Sequence, residues 1–287
     1  MPDKYTAVWV SHSSISDFLR CPRAYFLKNV YRQQGTNRKV KLVSPAMSLG
    51  AAVHETLESL SVLPRQTRFG KPLNDLFETS WKKVAGKAGG FYDKDTEFKY
   101  QTRGREMIWR VEKHPGVLAN AAVKIQQDLP FYWLSEEDNL ILCGKIDWLE
   151  YKPETDSVNI IDFKTGKVEE ESGSLQLPIY HLLVHNCQQR AVSGASYWYL
   201  DHDDAPRPVT LPSLEEAQEK VLAVARQIKL ARQIDRLKCA SEGCGSCTPF
   251  ERIIRGEADY IGVDEYKAEI FAFPPESDQP DKASVIL

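Results

Sequence analysis

No stretch of the sequence approaches the roughly 20 consecutive apolar residues needed to cross a bilayer. The opening residues, Met1 to Ser14, lack the charged-then-apolar order of an export signal. The first absence excludes a membrane-spanning helix, and together they lead to the expectation of a soluble, cytoplasmic protein with no membrane partner. No GxxxxGK[ST] stretch occurs, so the chain carries no P-loop motor of its own. His54-Glu55 is followed at position 58 by glutamate, not histidine, which rules out the HExxH zinc-protease pattern. An excess of charge of one sign is also lacking: 37 basic residues against 40 acidic ones leave a net charge of −3, which by itself does not suggest a nucleic-acid binder.

The 287 residues, 42% hydrophobic, suffice for a substantial core. We read residues 1–273 as one domain and 274–287, rich in proline and charge without periodicity, as a mobile tail. Charge is unevenly spread. Arg20, Arg23, Lys28, Arg32, Arg38, Lys39 and Lys41 form a run with no acid among them, whereas the stretch from Asp264 onward is acidic. That basic run suits a phosphate backbone, and it equally suits a solvated loop after a helix.

The segment from Leu140 to Tyr180 carries the chemistry. LILCGKIDWLEY and NIIDFKTGK flank Lys152–Asp156, which contains Pro153, so the pattern predicts a β-hairpin with Asp147 on its first strand and Asp162 on its second. Period-two alternation puts Asp162 and Lys164 on one face. Clustered carboxylates are costly unless a cation neutralises them. Hard oxygen donors favour Mg²⁺ or Mn²⁺, which activate water for attack on phosphate. Spacing alone also admits an ordinary surface ion pair between Asp162 and Lys164.

Gly144-Lys-Ile-Asp147, Asp162-Phe-Lys164 and Gln176-Leu-Pro-Ile-Tyr180 follow one another within about forty residues. In this order they resemble the GxxD, DxK and QxxxY motifs of the RecB-like branch of the PD-(D/E)xK nuclease superfamily. The resemblance implies a restriction-endonuclease-like α/β fold: a mixed β-sheet core, a helical region before it and a cysteine-ligated cluster tying the termini. It also implies a divalent-metal-dependent deoxyribonuclease. Gly50–His54 matches the family's GxxxH helix, so the implied metal ligands are His54, Asp147 and Asp162, with Glu55 and Glu58 as lesser candidates. Lys164 would orient the attacking water or stabilise charge, and Gln176 and Tyr180, at i and i+4 of one helix, would position the strand.

Cys239, Cys244 and Cys247 fall within nine residues, folded back by Gly243 and Gly245. In a chain without an export signal such cysteines point to metal or catalysis, not to a disulfide framework. Spacing cannot choose between tetrahedral zinc and an iron–sulfur cubane. The string SISDFLRCPRAYFL resembles the N-terminal segment of cluster-bearing RecB-like nucleases. That resemblance makes Cys21 the remote fourth ligand and favours a [4Fe–4S] cluster. The spacing of the other three departs from the family's commoner form and keeps zinc as the alternative. Cys143 and Cys187 read as buried small apolar residues.

Elsewhere, Ser13 or Ser14 should cap a first helix, with Asp17 completing the box, and Cys21-Pro22 should break it. A helix is expected from Ser48 with Leu49, Val53, Leu57 and Leu60 inward. Residues 73–129 should be mostly helical, with Arg103, Arg105, Arg110 and Lys113 as candidate backbone contacts or simply a solvated face. Ala191–Leu200 and Pro206–Leu211 should pair as strands. A helix capped by Ser213 should bury Leu222, Val224, Ala225, Ile228, Leu230 and Ile234, and a short one should include Arg252–Ile254. The implied function is a DNA nuclease, most simply an exonuclease on single-stranded ends, beside a recombination helicase or a CRISPR integrase. A non-catalytic DNA-end-binding subunit is the alternative from another class.

Overall fold

The computed structural model describes residues 3–171 and 173–275; most of the predicted tail lies outside them. In chain order the strands are β1 (Val8–Val10), β2 (Val40–Leu42), β3 (Phe131–Ser135), β4 (Leu140–Cys143), β5 (Trp148–Lys152), β6 (Ser157–Lys164), β7 (Ala191–Tyr199), β8 (Arg207–Val209), β9 (Asp259–Val263) and β10 (Glu269–Ala272). The α-helices are α1 (His12–Arg20), α2 (Pro22–Tyr25), α3 (Pro45–Ser59), α4 (Leu73–Trp81), α5 (Lys94–Lys113), α6 (Gln176–Cys187), α7 (Leu214–Gln233) and α8 (Thr248–Ile254). The fold is mixed α/β with helices leading in, as expected. No helix among the described residues is long and apolar enough to cross a membrane.

The strands hydrogen-bond as three sheets, ordered β1-β4-β3, β2-β10-β9 and β5-β6-β7-β8. This corrects the expected hairpin. LILCGKIDWLEY is not one strand but two, because the chain leaves β4 at Gly144 and re-enters a different sheet at Trp148. Gly144 sits where α6 comes close: a Cβ there would lie 2.9 Å from Leu183 Cδ1. Asp147 therefore stands just before β5, while the β5–β6 hairpin itself forms around Asp156, whose φ of 44° makes the turn. Strand β6 is central, antiparallel to β5 and parallel to β7.

Period-two alternation gives this sheet two apolar faces. Leu149, Val158, Ile160, Ala195 and Tyr197 pack with α6 and α7. Trp148, Ile161, Phe163 and Trp198 pack with α3, α4 and α5. A third, smaller core unites Cys21, Ala24 and Leu27 with Val40, Cys247, Phe250, Ile253 and Phe271, joining N- and C-terminal segments.

The first helix is capped by Ser11, not by Ser13 or Ser14: Ser11 and Ser14 form the capping box. With the helix starting there, Asp17 lies a turn beyond the box position and pairs with Lys28 at 2.6 Å. Cys21 breaks the helix as expected, in an extended conformation before Pro22. The third helix starts at Pro45, earlier than Ser48, since proline is tolerated in a first turn. Helical structure ends at Ala119, short of 129; beyond it Tyr151 N–H donates to the Ala121 carbonyl and Val123 N–H to that of Leu149, an edge pairing with β5.

In α7 the buried positions are Ala217, Val221, Ala225, Ile228 and Ala231, a stripe three and four apart. Leu230 and Ile234 are 55% and 56% exposed, contrary to expectation, because they fall off that stripe. Strands β7 and β8 pair antiparallel as expected.

Candidate active site

Asp162 and Lys164 lie two apart on β6, and their side chains meet: Lys164 Nζ is 3.0 Å from Asp162 Oδ2. Asp162 is 2% exposed. The helix α6 begins at Gln176 with Pro178 in its first turn, where a missing N–H costs nothing. Its first residue bridges the pair. Gln176 Nε2 donates to Asp162 Oδ1 at 2.6 Å, and Gln176 Oε1 accepts a short hydrogen bond from Lys164 Nζ. The Gln176 amide also reaches the Tyr180 hydroxyl at 3.3 Å, one turn along. Gln176 and Tyr180 thus share a face, as their spacing predicts.

Asp147 is brought to the same place by the break between β4 and β5. Its Oδ2 accepts from the backbone N–H of Phe163 at 2.9 Å and lies 3.3 Å from His54 Nδ1. His54 reaches it because α3 packs tightly on the end of β6: a Cβ on Gly50 would stand 3.2 Å from Thr165 Oγ1. The spacing of Gly50 and His54, four apart on one helix face, therefore has a packing reason.

The structure adds Glu58 to this group. His54, Glu58 and Asp147 offer ligand atoms that all lie within 4.8 Å of one another, and His54 Nδ1 is 3.9 Å from Glu58 Oε1. Glu55, the other candidate, points away into a short ion pair with Lys83. Asp162 stands apart from the tight trio, tied to Gln176 and Lys164.

Electrostatics shows what gathering these groups costs. Burial raises the pKa of Asp162 to about 7, with Asp147's charge adding to it and Lys164 opposing it. Its Oδ2 is buried against the Lys164 ammonium, 3.0 Å away. Burial alone would lower the pKa of His54, but the neighbouring Asp147, with Asp162 and Glu58, pushes it up to about 9. Burial and the adjoining acids raise Glu58 despite Lys145. Tyr180 is raised well above the usual phenol by burial and by Asp162 and Asp147. Burial opposes the charge of Lys164, yet Asp162 and Glu170 keep its pKa above normal, so it is an ammonium at neutral pH. Acids that resist ionisation until a cation arrives, gathered beside an imidazole within 4.8 Å, fit a divalent ion bound by oxygen and nitrogen.

Three neighbours escaped sequence reading. Glu170 pairs with Lys164 at 3.0 Å; it lies in an acidic polar stretch with no periodicity to mark it. Lys145, inside the GxxD stretch, lies 3.4 Å from Glu58. His12, on α1, is held neutral with a pKa of about 4 by burial and by Lys164. The predicted backbone contacts are engaged within the protein. Arg103 binds Asp201 and the Thr165 carbonyl, Arg105 binds Glu78, Arg110 binds Asp204, and Lys113 lies over the Trp109 ring. Much of the basic run is likewise occupied: Arg23 pairs with Glu251, Lys28 with Asp17 and Lys41 with Asp264, while Arg32 caps backbone carbonyls.

The second cluster is the cysteine group. Sγ atoms of Cys21, Cys239, Cys244 and Cys247 all lie within 4.8 Å of one another. Cys21 opens α2 and Cys247 precedes α8, so both are fixed by helix N-termini. Burial raises the Cys21 pKa to about 12, whereas backbone N–H groups of Cys247 and Ser246 lower that of Cys244 to about 6. Four thiols packed this closely, Cys244 and Cys247 at 3.6 Å, fit a thiophilic metal centre. Zinc–sulfur bonds of about 2.3 Å place tetrahedral sulfurs about 3.8 Å apart; a cubane would need them to spread. Cys143 and Cys187 lie elsewhere, each donating to a backbone carbonyl.

A mixed α/β fold that sets two aspartates, a lysine and an upstream histidine around one buried patch has the layout of a metal-dependent nuclease. The chain belongs to the PD-(D/E)XK nuclease superfamily, whose family model matches residues 9–252. No curated protein matches it.

Proposed function

We propose that this protein is a Mg²⁺- or Mn²⁺-dependent deoxyribonuclease of the RecB-like branch, acting as an exonuclease on single-stranded ends. The observation that carries this reading is the Gln176 bridge. One amide fixes both Asp162 and Lys164, and a packing role would not require a lysine and an aspartate to be held together below the surface.

In this reading His54, Asp147 and Asp162 hold the divalent ion, with Glu58 as a further donor. When bound, the ion supplies an activated water and neutralises charge on the phosphate. Lys164, kept protonated by Asp162 and Glu170, cannot act as a base; it donates hydrogen bonds to the attacking water or to the phosphate oxygens as negative charge grows there. Phe163 N–H orients Asp147, and Gln176 prevents Asp162 from turning away. Water gives up a proton to solvent as its oxygen forms the new P–O bond, the strand's P–O bond breaks, and the departing oxygen takes a proton from solvent. The four cysteines hold a metal centre, zinc at their present spacing or, with the sulfurs spread, the [4Fe–4S] cluster that the resemblance to cluster-bearing RecB-like nucleases implies, and staple the N- and C-terminal segments. Processing ends beside a recombination helicase and trimming DNA for CRISPR integration are the two roles that the branch supports.

The test is cleavage of end-labelled single strands with Mn²⁺, comparing wild type with Lys164→Ala. Loss of at least about a hundredfold in rate in the variant is expected. Strands left intact by both would turn the reading towards a non-catalytic DNA-end-binding subunit.

A further inference from the structure

Two grooves open from the acid group and share Glu58, Lys124 and Lys145. One, of about 990 Å³, runs between α3 and β9. The other, of about 440 Å³, is lined also by Gln126, Gln127, Asp147 and Tyr266. Tyr266 sits on the turn joining β9 to β10, and that turn is firmly built. Asp264 Oδ1 accepts from the backbone N–H of Tyr266 at 3.0 Å and of Ala268 at 2.8 Å, and Asp264 N–H donates to the Ala268 carbonyl at 3.0 Å. The side chain of Tyr266 is nevertheless left in water: the residue is 78% exposed, and its ring stacks on no other ring among the described residues.

A lone exposed tyrosine is ordinary on a protein surface. This one differs in its setting: it stands on a hydrogen-bonded turn and lines a groove that Lys124, Lys145, Glu58 and Asp147 also line. Lys145, which pairs with Glu58 at 3.4 Å, is 67% exposed at its side chain, and Lys124 donates to the Ser61 hydroxyl at 3.3 Å. We propose that Tyr266 is a stacking platform for an unpaired base, with the flanking phosphates on Lys145 and Lys124, so that this groove selects single-stranded over duplex nucleic acid. The selection follows from what each form exposes. In a duplex the faces of the bases are covered by their neighbours, whereas a single strand can turn one base onto an aromatic ring. Stacking tolerates any base, so the platform adds affinity without sequence preference.

This inference rests on the nuclease reading above, and the experiment separates the two. Fluorescence anisotropy of a labelled oligothymidylate is measured in EDTA, where cleavage cannot interfere, for wild type, Tyr266→Ala and Tyr266→Phe; manganese-dependent cleavage is measured alongside. Tyr266→Ala should weaken single-strand binding about tenfold, leave blunt-duplex binding within about twofold, and Tyr266→Phe should match wild type. Equal single-strand binding by Tyr266→Ala and wild type, with cleavage present, overturns the platform and spares the nuclease. Loss of binding in Tyr266→Ala alone, with no cleavage by any form, supports the platform and overturns the nuclease. No single-strand binding by wild type overturns the platform, and the cleavage measured alongside decides the nuclease by itself.

Discussion

Asp147 accepts a hydrogen bond from the backbone N–H of Phe163 at 2.9 Å, which ties the carboxylate before β5 to the residue between Asp162 and Lys164. The two acids are thereby held by one backbone segment. Asp147 needs no place on a regular strand to reach the site, since the neighbouring strand's own amide catches it.

Gln176 is a positioning residue. Gln176→Leu removes the partner of Asp162 Oδ1 and of Lys164 Nζ together. Cleavage should fall about 10- to 100-fold, the usual effect of losing a group that orients a metal ligand. Stability should change by about 1–3 kcal/mol as the buried acid loses its donor. Rates at saturating Mn²⁺ and urea melts would check both, and an unchanged rate would remove Gln176 from the site.

The metal-free protein should lose stability as pH rises. Asp162 has its folded pKa raised to about 7 from 3.8, so its contribution is full below the unfolded value and lost as pH passes through the folded one. His54, raised from 6.5 to about 9, is lost in the same direction but later. In both cases the folded state binds the proton more tightly, and the slope is negative. His12, whose folded pKa is lowered from 6.5 to about 4, acts in the opposite sense between pH 4 and 6.5 and offsets Asp162 there, so melting temperatures in EDTA should decline chiefly between pH 6.5 and 9, and Asp162→Asn should make the curve rise between pH 4 and 6.5. Added Mn²⁺ should offset the decline, because it binds the deprotonated groups. A wild-type curve rising in EDTA would contradict this account of the site.

Cys21→Ser should lower metal content and melting temperature together, since its sulfur is the link from the N-terminal helices to the other three. Cys143→Ser should leave the metal unchanged. Metal analysis and an absorbance spectrum of anaerobically purified protein give the readout. Broad visible absorption identifies iron–sulfur, and a colourless protein containing zinc replaces that cofactor without touching the nuclease site.

Gly144→Ala should destabilise by about 1–3 kcal/mol through overpacking, because the new methyl would stand 2.9 Å from Leu183 Cδ1. The displaced α6 carries Gln176, so cleavage should fall as well. Thermal melts with parallel rate measurements would show whether the two losses travel together.

Much of this molecule follows from local sequence. The DxK pair needs only strand periodicity, the Gln176–Tyr180 face only helix periodicity, and the Cys21-Pro22 break only the geometry of proline. Local pattern failed where partners lie far away in sequence. The apolar run through Gly144 reads as one strand because composition does not register that α6 presses on the glycine. Asp17 looks like the capping-box partner until the helix is seen to start after Ser11, which gives that place to Ser14. Leu230 and Ile234 look like core because a loose apolar stripe is indistinguishable from the narrower one that the small residues of α7 define.

Residue types and their order determined which chemistry the chain is equipped for, because carboxylates, imidazole, amine and thiols keep their ligand preferences in any fold. Only the tertiary structure decided which of them meet. It brought Glu58, Glu170 and Lys145 to the site and sent Glu55 to the surface, and it closed four sulfurs from opposite ends of the sequence to within 4.8 Å. The physical reason is that these choices turn on side-chain directions and chain crossings over separations where periodicity carries no information.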